Sequence, residues 1–181
     1  MLDLQQLTND LILLSLSVLY YFANKKTNKT VVNYKNFFFP LDFINFWNKA
    51  YGKKGFFQYQ FVIPNKSANI FFSKFIKLLT KNNEVPALTV LKSFGSIASI
   101  GDLSFPREGV TLAIDFPNRG SKTIKFMEDL DNIVIQHGGA LYPAKDARMS
   151  KKVFSNSFPN QSEFIKNIDP HLSSFFWERV K

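Results

Sequence analysis

With 181 residues, 45% of them hydrophobic and 16% aromatic, the chain is too apolar to stay unfolded and long enough for one domain with a real core. The lack of cysteine excludes disulfides, a thiolate nucleophile and thiolate-held metals, and two histidines without a second ligand at metal spacing argue against zinc or iron. A formal net charge of +9 suits an anionic partner, yet the basic residues are scattered lysines rather than a dense stripe, which sets a solvated surface ahead of a nucleic-acid face.

The first predicted element is a helix over residues 4–22. Its apolar run LILLSLSVLYYFA is too short to span a bilayer, and Asp3 and Asp10 stand where a signal peptide carries positive charge, so a buried amphipathic helix is a better reading than a signal anchor. Residues 31–39 read as extended and aromatic. Pro40 then opens a new element, and LDFINFWNKAYG reads as a short helix closed by Gly52.

Residues 56–63, FFQYQFVI, alternate strictly. Phe57, Tyr59, Phe61 and Ile63 share one face of a strand, and Gln58 and Gln60 share the other. After Pro64, SANIFFSKFIKLLTKNN places Ile70, Phe71, Ile76, Leu78 and Leu79 at helical spacing. Strands are predicted over 87–95 and 110–116, around a loop containing LSFPREG, and a helix over 121–137 that Gly138 stops. Strand, helix, strand, strand, helix predicts an antiparallel sheet with flanking helices, an α+β fold. The segment after Gly139 carries Pro143, Pro159 and Pro170 and only short helical patches, which reads as a strap packing on another body. The chain accordingly divides into residues 1–139 and 140–181.

Several residues carry two readings. Gln58 and Gln60 either meet water or line a cavity. Lys92, on one strand face with Val90 and Phe94, is either an edge-strand charge or a cation held over a pocket. Thr111 offers a hydroxyl to a ligand or is an ordinary strand threonine. Asp115, ahead of Phe-Pro-Asn, reads as a turn cap, and Asp146 and Arg148 as a surface pair worth under about 1 kcal/mol. No nucleophile turn of a Ser-His-Asp triad is present.

The phrases FFFPLDFINFWNKAYGKKGFFQYQFVIP, LKSFGSIASIGDLSFPREGVTLAIDFPNRG and GGALYPAKDARMS, followed by FP and IDP, resemble the C-terminal part of FAD-linked oxidases. That superfamily includes vanillyl-alcohol oxidase and the aldonolactone oxidases, and the similarity runs from about Tyr34 onward. It implies an FAD-dependent oxidoreductase that oxidises a hydroxyl of a sugar by hydride transfer to flavin, with residues 1–139 as the later part of a substrate cap and 140–181 as the segment returning to an FAD-binding domain. Lys145 and Tyr142 match the family's Tyr-x-x-Lys, which implies a place at the flavin for both and a catalytic part. Gln58, Gln60, Lys92, Phe94 and Thr111 would line the sugar pocket.

Two departures refine the resemblance. Aldonolactone oxidases carry His-Trp-x-Lys where this chain has Leu141-Tyr142-Pro143-Ala144-Lys145, which favours the branch acting on polyprenyl-phosphate-linked ribose. Ala113 stands where that branch has a cysteine, so thiol-directed inhibition is expected to be absent. No glycine-rich loop for the FAD pyrophosphate is found in the sequence, so the expectation is a truncated or split-gene product, partnered by an N-terminal FAD-binding half and without tight FAD binding alone. A cytoplasmic place, or one peripheral to the membrane that holds such a lipid, follows from the same resemblance. The other readings are a basic module binding nucleic acid or an anionic membrane, and an inactive fragment.

Overall fold

The computed structural model describes residues 51–86, 88–145 and 147–181, together with residues 15, 18, 19, 21, 22, 25, 31–39, 45 and 46. The chain divides into two units, Met1–Phe56 and Phe57–Lys181. In the first unit, the described residues of the predicted N-terminal helix, at 15, 18, 19, 21 and 22, are helical. The stretch expected to be extended instead forms a short helix, α1 (Tyr34–Phe38), because the Asn33 side chain accepts the Lys35 backbone N–H at 2.9 Å and so caps it. Of the helix expected over 41–52, residues 41–44 and 47–50 lie outside the described residues; Asn45 and Phe46 form a turn. Tyr51 stacks on Phe56 with ring centroids 4.1 Å apart.

From Phe56 onward the order is β1 (Phe56–Ile63), α2 (Asn65–Asn82), β2 (Thr89–Phe94), β3 (Gly109–Pro117), α3 (Ser121–Gln136) and β4 (Ala140–Leu141). A 3₁₀ turn at Pro143–Lys145 and three short helices, α4 (Lys151–Ser157), α5 (Gln161–Ile165) and α6 (Phe175–Val180), complete it. The strands form one open antiparallel sheet in the order β2-β3-β1-β4, the β-α-β-β-α-β plan of a split βαβ unit. This is the predicted α+β fold. The sequence reading lacks β4, which is only two residues long and pairs Leu141 with Phe61 and Ala140 with Val62.

The core lies where α2 and α3 cover one face of the sheet. Tyr59, Phe61 and Ile63 of β1 meet Leu112, Ile114 and Phe116 of β3, with Phe71 and Phe75 of α2 and Phe126, Leu130 and Val134 of α3. The predicted stripe of α2 is corrected here. Ile70 and Ile76 are 61% and 60% exposed, while Ala68, Phe71 and Phe75 face inward. Ala68, Phe71 and Phe75 recur at i, i+3 and i+7 and so share one face, which Ile70 does not, and Phe61 meets Phe71 edge-on at 4.9 Å.

Met149, Val153, Phe154, Phe158 and Val180, all after Gly139, lie in this same core. Gly139 makes the join possible, since a Cβ there would sit 2.5 Å from Ile63 Cδ1 and 2.7 Å from the Val62 carbonyl oxygen. Ser157 Oγ then accepts the backbone N–H of Leu141 at 3.1 Å, tying α4 to β4. Among the described residues no helix is long and apolar enough to cross a membrane.

Candidate functional site

Strand alternation turns Gln58 and Gln60 onto the sheet face opposite the phenylalanine core. Neither amide simply meets water. Gln60 Nε2 donates to Thr111 Oγ1 at 3.2 Å, and that buried hydroxyl donates onward to the Phe61 carbonyl at 2.8 Å, linking β3 to β1. Gln58 Oε1 accepts from the Lys145 ammonium. Lys92 sits directly across from Thr111 in the β2–β3 register, exposed and with no ion-pair partner among the described residues.

The loop after β4 brings the other predicted residues to this face. The backbone N–H of Tyr142 donates to Gln60 O at 2.9 Å, and that of Lys145 to Tyr142 O at 3.2 Å, closing the 3₁₀ turn that presents the lysine. The Tyr142 ring stacks on Phe105 at 4.6 Å, and Phe105 meets Phe94 edge-on at 6.0 Å. Two neighbourhoods therefore share one face. Lys145, Gln58, Gln60 and Tyr142 line one side of a cleft of about 20 Å³ at the edge of β1, with Tyr59, Met127, Arg148 and Met149 on its other side, while Thr111 with Lys92 opposite and the Phe94, Phe105 and Tyr142 rings lie alongside it.

Three features escape the sequence reading. Phe105, in the loop containing LSFPREG, completes the aromatic run, and nothing in that loop's pattern announces it. Asp115, expected at a turn, is buried within β3, and its backbone N–H bonds Leu88 O at 2.9 Å. Asn118 serves the turn after it, accepting the Gly120 N–H at 2.9 Å.

The third is Arg148, expected to pair with Asp146 at the surface. Asp146 lies outside the described residues, and the Arg148 guanidinium grips Asp131 of α3 through two bonds of 2.7 and 2.9 Å. Tyr59 donates its hydroxyl to the same carboxylate at 2.6 Å. Burial, and then the Asp131 charge, hold the Tyr59 hydroxyl well above its ordinary pKa. Burial disfavours the charged Arg148, but its bonds to Asp131 outweigh that and leave the guanidinium above its ordinary value. A signal existed for Asp131: it shares the helical stripe of Met127, Leu130 and Val134, an acidic residue at a core position.

No family model matches the chain. Over 167 residues it is 34% identical to a decaprenylphosphoryl-β-D-ribose oxidase of Mycolicibacterium smegmatis, a match covering 91% of this chain and 36% of that protein. The chain is a relative of that oxidase. It is also 32% identical over 75 residues to an uncharacterised protein from the mprA 5′ region of Streptomyces coelicolor, across 41% of this chain and 20% of that one. The chain therefore spans about a third of the length of the oxidase it matches.

Proposed function

We propose that the chain forms the C-terminal, substrate-side part of an FAD-dependent oxidoreductase that oxidises a hydroxyl of a sugar, with a polyprenyl-phosphate-linked ribose as its substrate class. The placement of Lys145 carries the proposal: a half-buried lysine whose ammonium is set on an amide oxygen, in the lining of a small cleft that Tyr142 also lines. Kinship with a decaprenylphosphoryl-ribose oxidase supports it.

The groups present suit one edge of a flavin laid against the rim of the cleft, whose volume of about 20 Å³ holds a water and not a ring. A flavin offers carbonyl oxygens along its pyrimidine edge and a flat apolar face, and this cleft offers a cation and an aromatic ring for them. When bound, FAD would take the hydride from the carbinol carbon while the hydroxyl proton is released to solvent, leaving a ketone. Lys145 supplies fixed positive charge where negative charge grows during that transfer, and Gln58 orients its ammonium. Gln60, its amide fixed by the buried Thr111 hydroxyl beneath it, presents a preorganised polar group to the sugar, and Lys92 adds a second cation on the same face. Phe94, Phe105 and Tyr142 form a ring wall that excludes water. An FAD-binding part, joined to the chain or supplied separately, holds the rest of the cofactor, and the lipid tail sets the pair at a membrane surface.

The test mixes the chain with the flavin-binding part of an FAD-linked oxidase and follows flavin absorbance anaerobically as polyprenylphosphoryl-ribose is added. Assembly followed by substrate-dependent bleaching supports the proposal. A mixture that assembles but never bleaches, or a chain that instead binds RNA or anionic vesicles, overturns it.

A further inference from the structure

The loop that carries Lys145 is too lightly attached at that residue to explain its placement. One hydrogen bond to a neutral amide does not outweigh the rotamer freedom of a lysine side chain, so something else must hold the backbone beneath it. Strand β4 stops at Leu141, and from there the chain follows the edge of β1 without a ladder, bonded to it through Tyr142 N and the Lys145 side chain.

Gln58 and Tyr59 are consecutive, so their side chains leave β1 on opposite faces. The loop engages both. On the polar face Lys145 meets Gln58. On the core face Arg148 takes both oxygens of Asp131 at 2.7 and 2.9 Å, with the guanidinium 6.0 Å from the Tyr59 ring centre, and the Tyr59 hydroxyl bonds the same carboxylate. Arg179 of α6 fixes the exit by donating from Nε to Met149 O at 3.0 Å. Three residues of chain reach at most about 11 Å, so anchoring Arg148 confines where Lys145 can go.

We propose that Arg148, locked by Asp131 and Tyr59, is a positioning residue that sets the Lys145 ammonium against Gln58. The proposal rests on reading Lys145 as the cation at the flavin edge, but the placement itself is a property of this chain and is measured without flavin. Arginine suits this role because its planar fork takes both carboxylate oxygens in one geometry, which a lysine cannot reproduce.

The experiment is amine labelling of the folded chain with an acetylating reagent, with the rate at each lysine read by mass spectrometry. In the wild type Lys145 reacts several-fold more slowly than exposed Lys151, and Gln58→Leu raises its rate as a direct control. The decisive variant combines Asp131→Leu with Arg148→Met. Removing both charges together leaves no buried ion unpaired, so the chain is expected to fold, with Lys145 labelled as fast as Lys151. Slow labelling of Lys145 in that folded variant overturns the proposal.

Should the double variant fail to fold, Arg148→Lys carries the test, since it keeps the charge and loses the fork: faster labelling supports the proposal and an unchanged rate overturns it. In the reconstituted oxidase the double variant should lose turnover while KM for the sugar changes little. A labelling result that holds while the oxidase fails leaves Arg148 as the residue that places Lys145 and overturns only the oxidase reading.

Discussion

The two faces of one sheet are held in opposite ways. The helix-covered face is a continuous packing of rings and branched side chains, in which Phe61, Ile63, Ile114 and Phe116 are fully or almost fully buried. The other face carries amides, a hydroxyl and two lysines, held by a few named bonds such as Gln60 to Thr111 and Lys145 to Gln58. Both arise from the same eight-residue strand, in which parity sets Gln58 and Gln60 apart from the phenylalanine core, while Val62 on their side is buried in a smaller cluster with Phe105 and Ala140.

Breaking the packed face should have the largest effect. Phe61→Ala removes the ring that meets Phe71, Phe72 and Phe75 and should cost about 3–5 kcal/mol, read as a large drop in the urea midpoint or as loss of the fold. Asp131→Asn strands Arg148 in the interior without its counter-charge and should cost about 3 kcal/mol by the same measurement. Thr111→Val tests a buried hydroxyl of the polar face: it removes the bond to Phe61 O and the acceptor of Gln60, for about 1 kcal/mol.

A smaller effect separates the hydroxyl of Tyr59 from its ring. The folded pKa of Tyr59 is raised, by burial first and then by Asp131, with Arg148 opposing and Glu128 acting on Arg148. A raised pKa contributes stability that is complete below the unfolded value of about 10 and is lost as pH climbs past it. The advantage in urea midpoint of wild type over Tyr59→Phe should therefore hold through neutral pH and shrink above about pH 10. The smallest effect on stability belongs to Gln58→Leu, within about 0.5 kcal/mol, and it sharpens the contrast best because its cost should fall on flavin reduction instead.

The sequence made the sheet legible where periodicity is long. The eight-residue alternation of β1 and the stripes of α2 and α3 predict the layers, and period two alone puts Gln58 with Gln60 and Lys92 with Phe94. It fails where the deciding force is not periodic. A two-residue strand such as β4 has no period to read, and Asn33 overrides an extended aromatic run with one capping bond. Ile70 and Ile76 fall outside the stripe that Ala68, Phe71, Phe75 and Leu79 form at helical spacing, so the period is present and a different set of residues follows it. A partner of Arg148 lies 17 residues away on α3, beyond the reach of any local pattern, and only the acidic residue on the buried stripe of α3 points to it.

Lys145 stands at the meeting of fold and chemistry, and its measurement is the most direct. In the reconstituted oxidase, single-turnover flavin reduction by polyprenylphosphoryl-ribose should slow by about 10²–10³-fold in Lys145→Met, the loss typical of one preorganised charge-stabilising group, while assembly and substrate binding persist. Reduction at the wild-type rate in that variant would contradict the account, because the polar face would then be present without the residue that gives it a function.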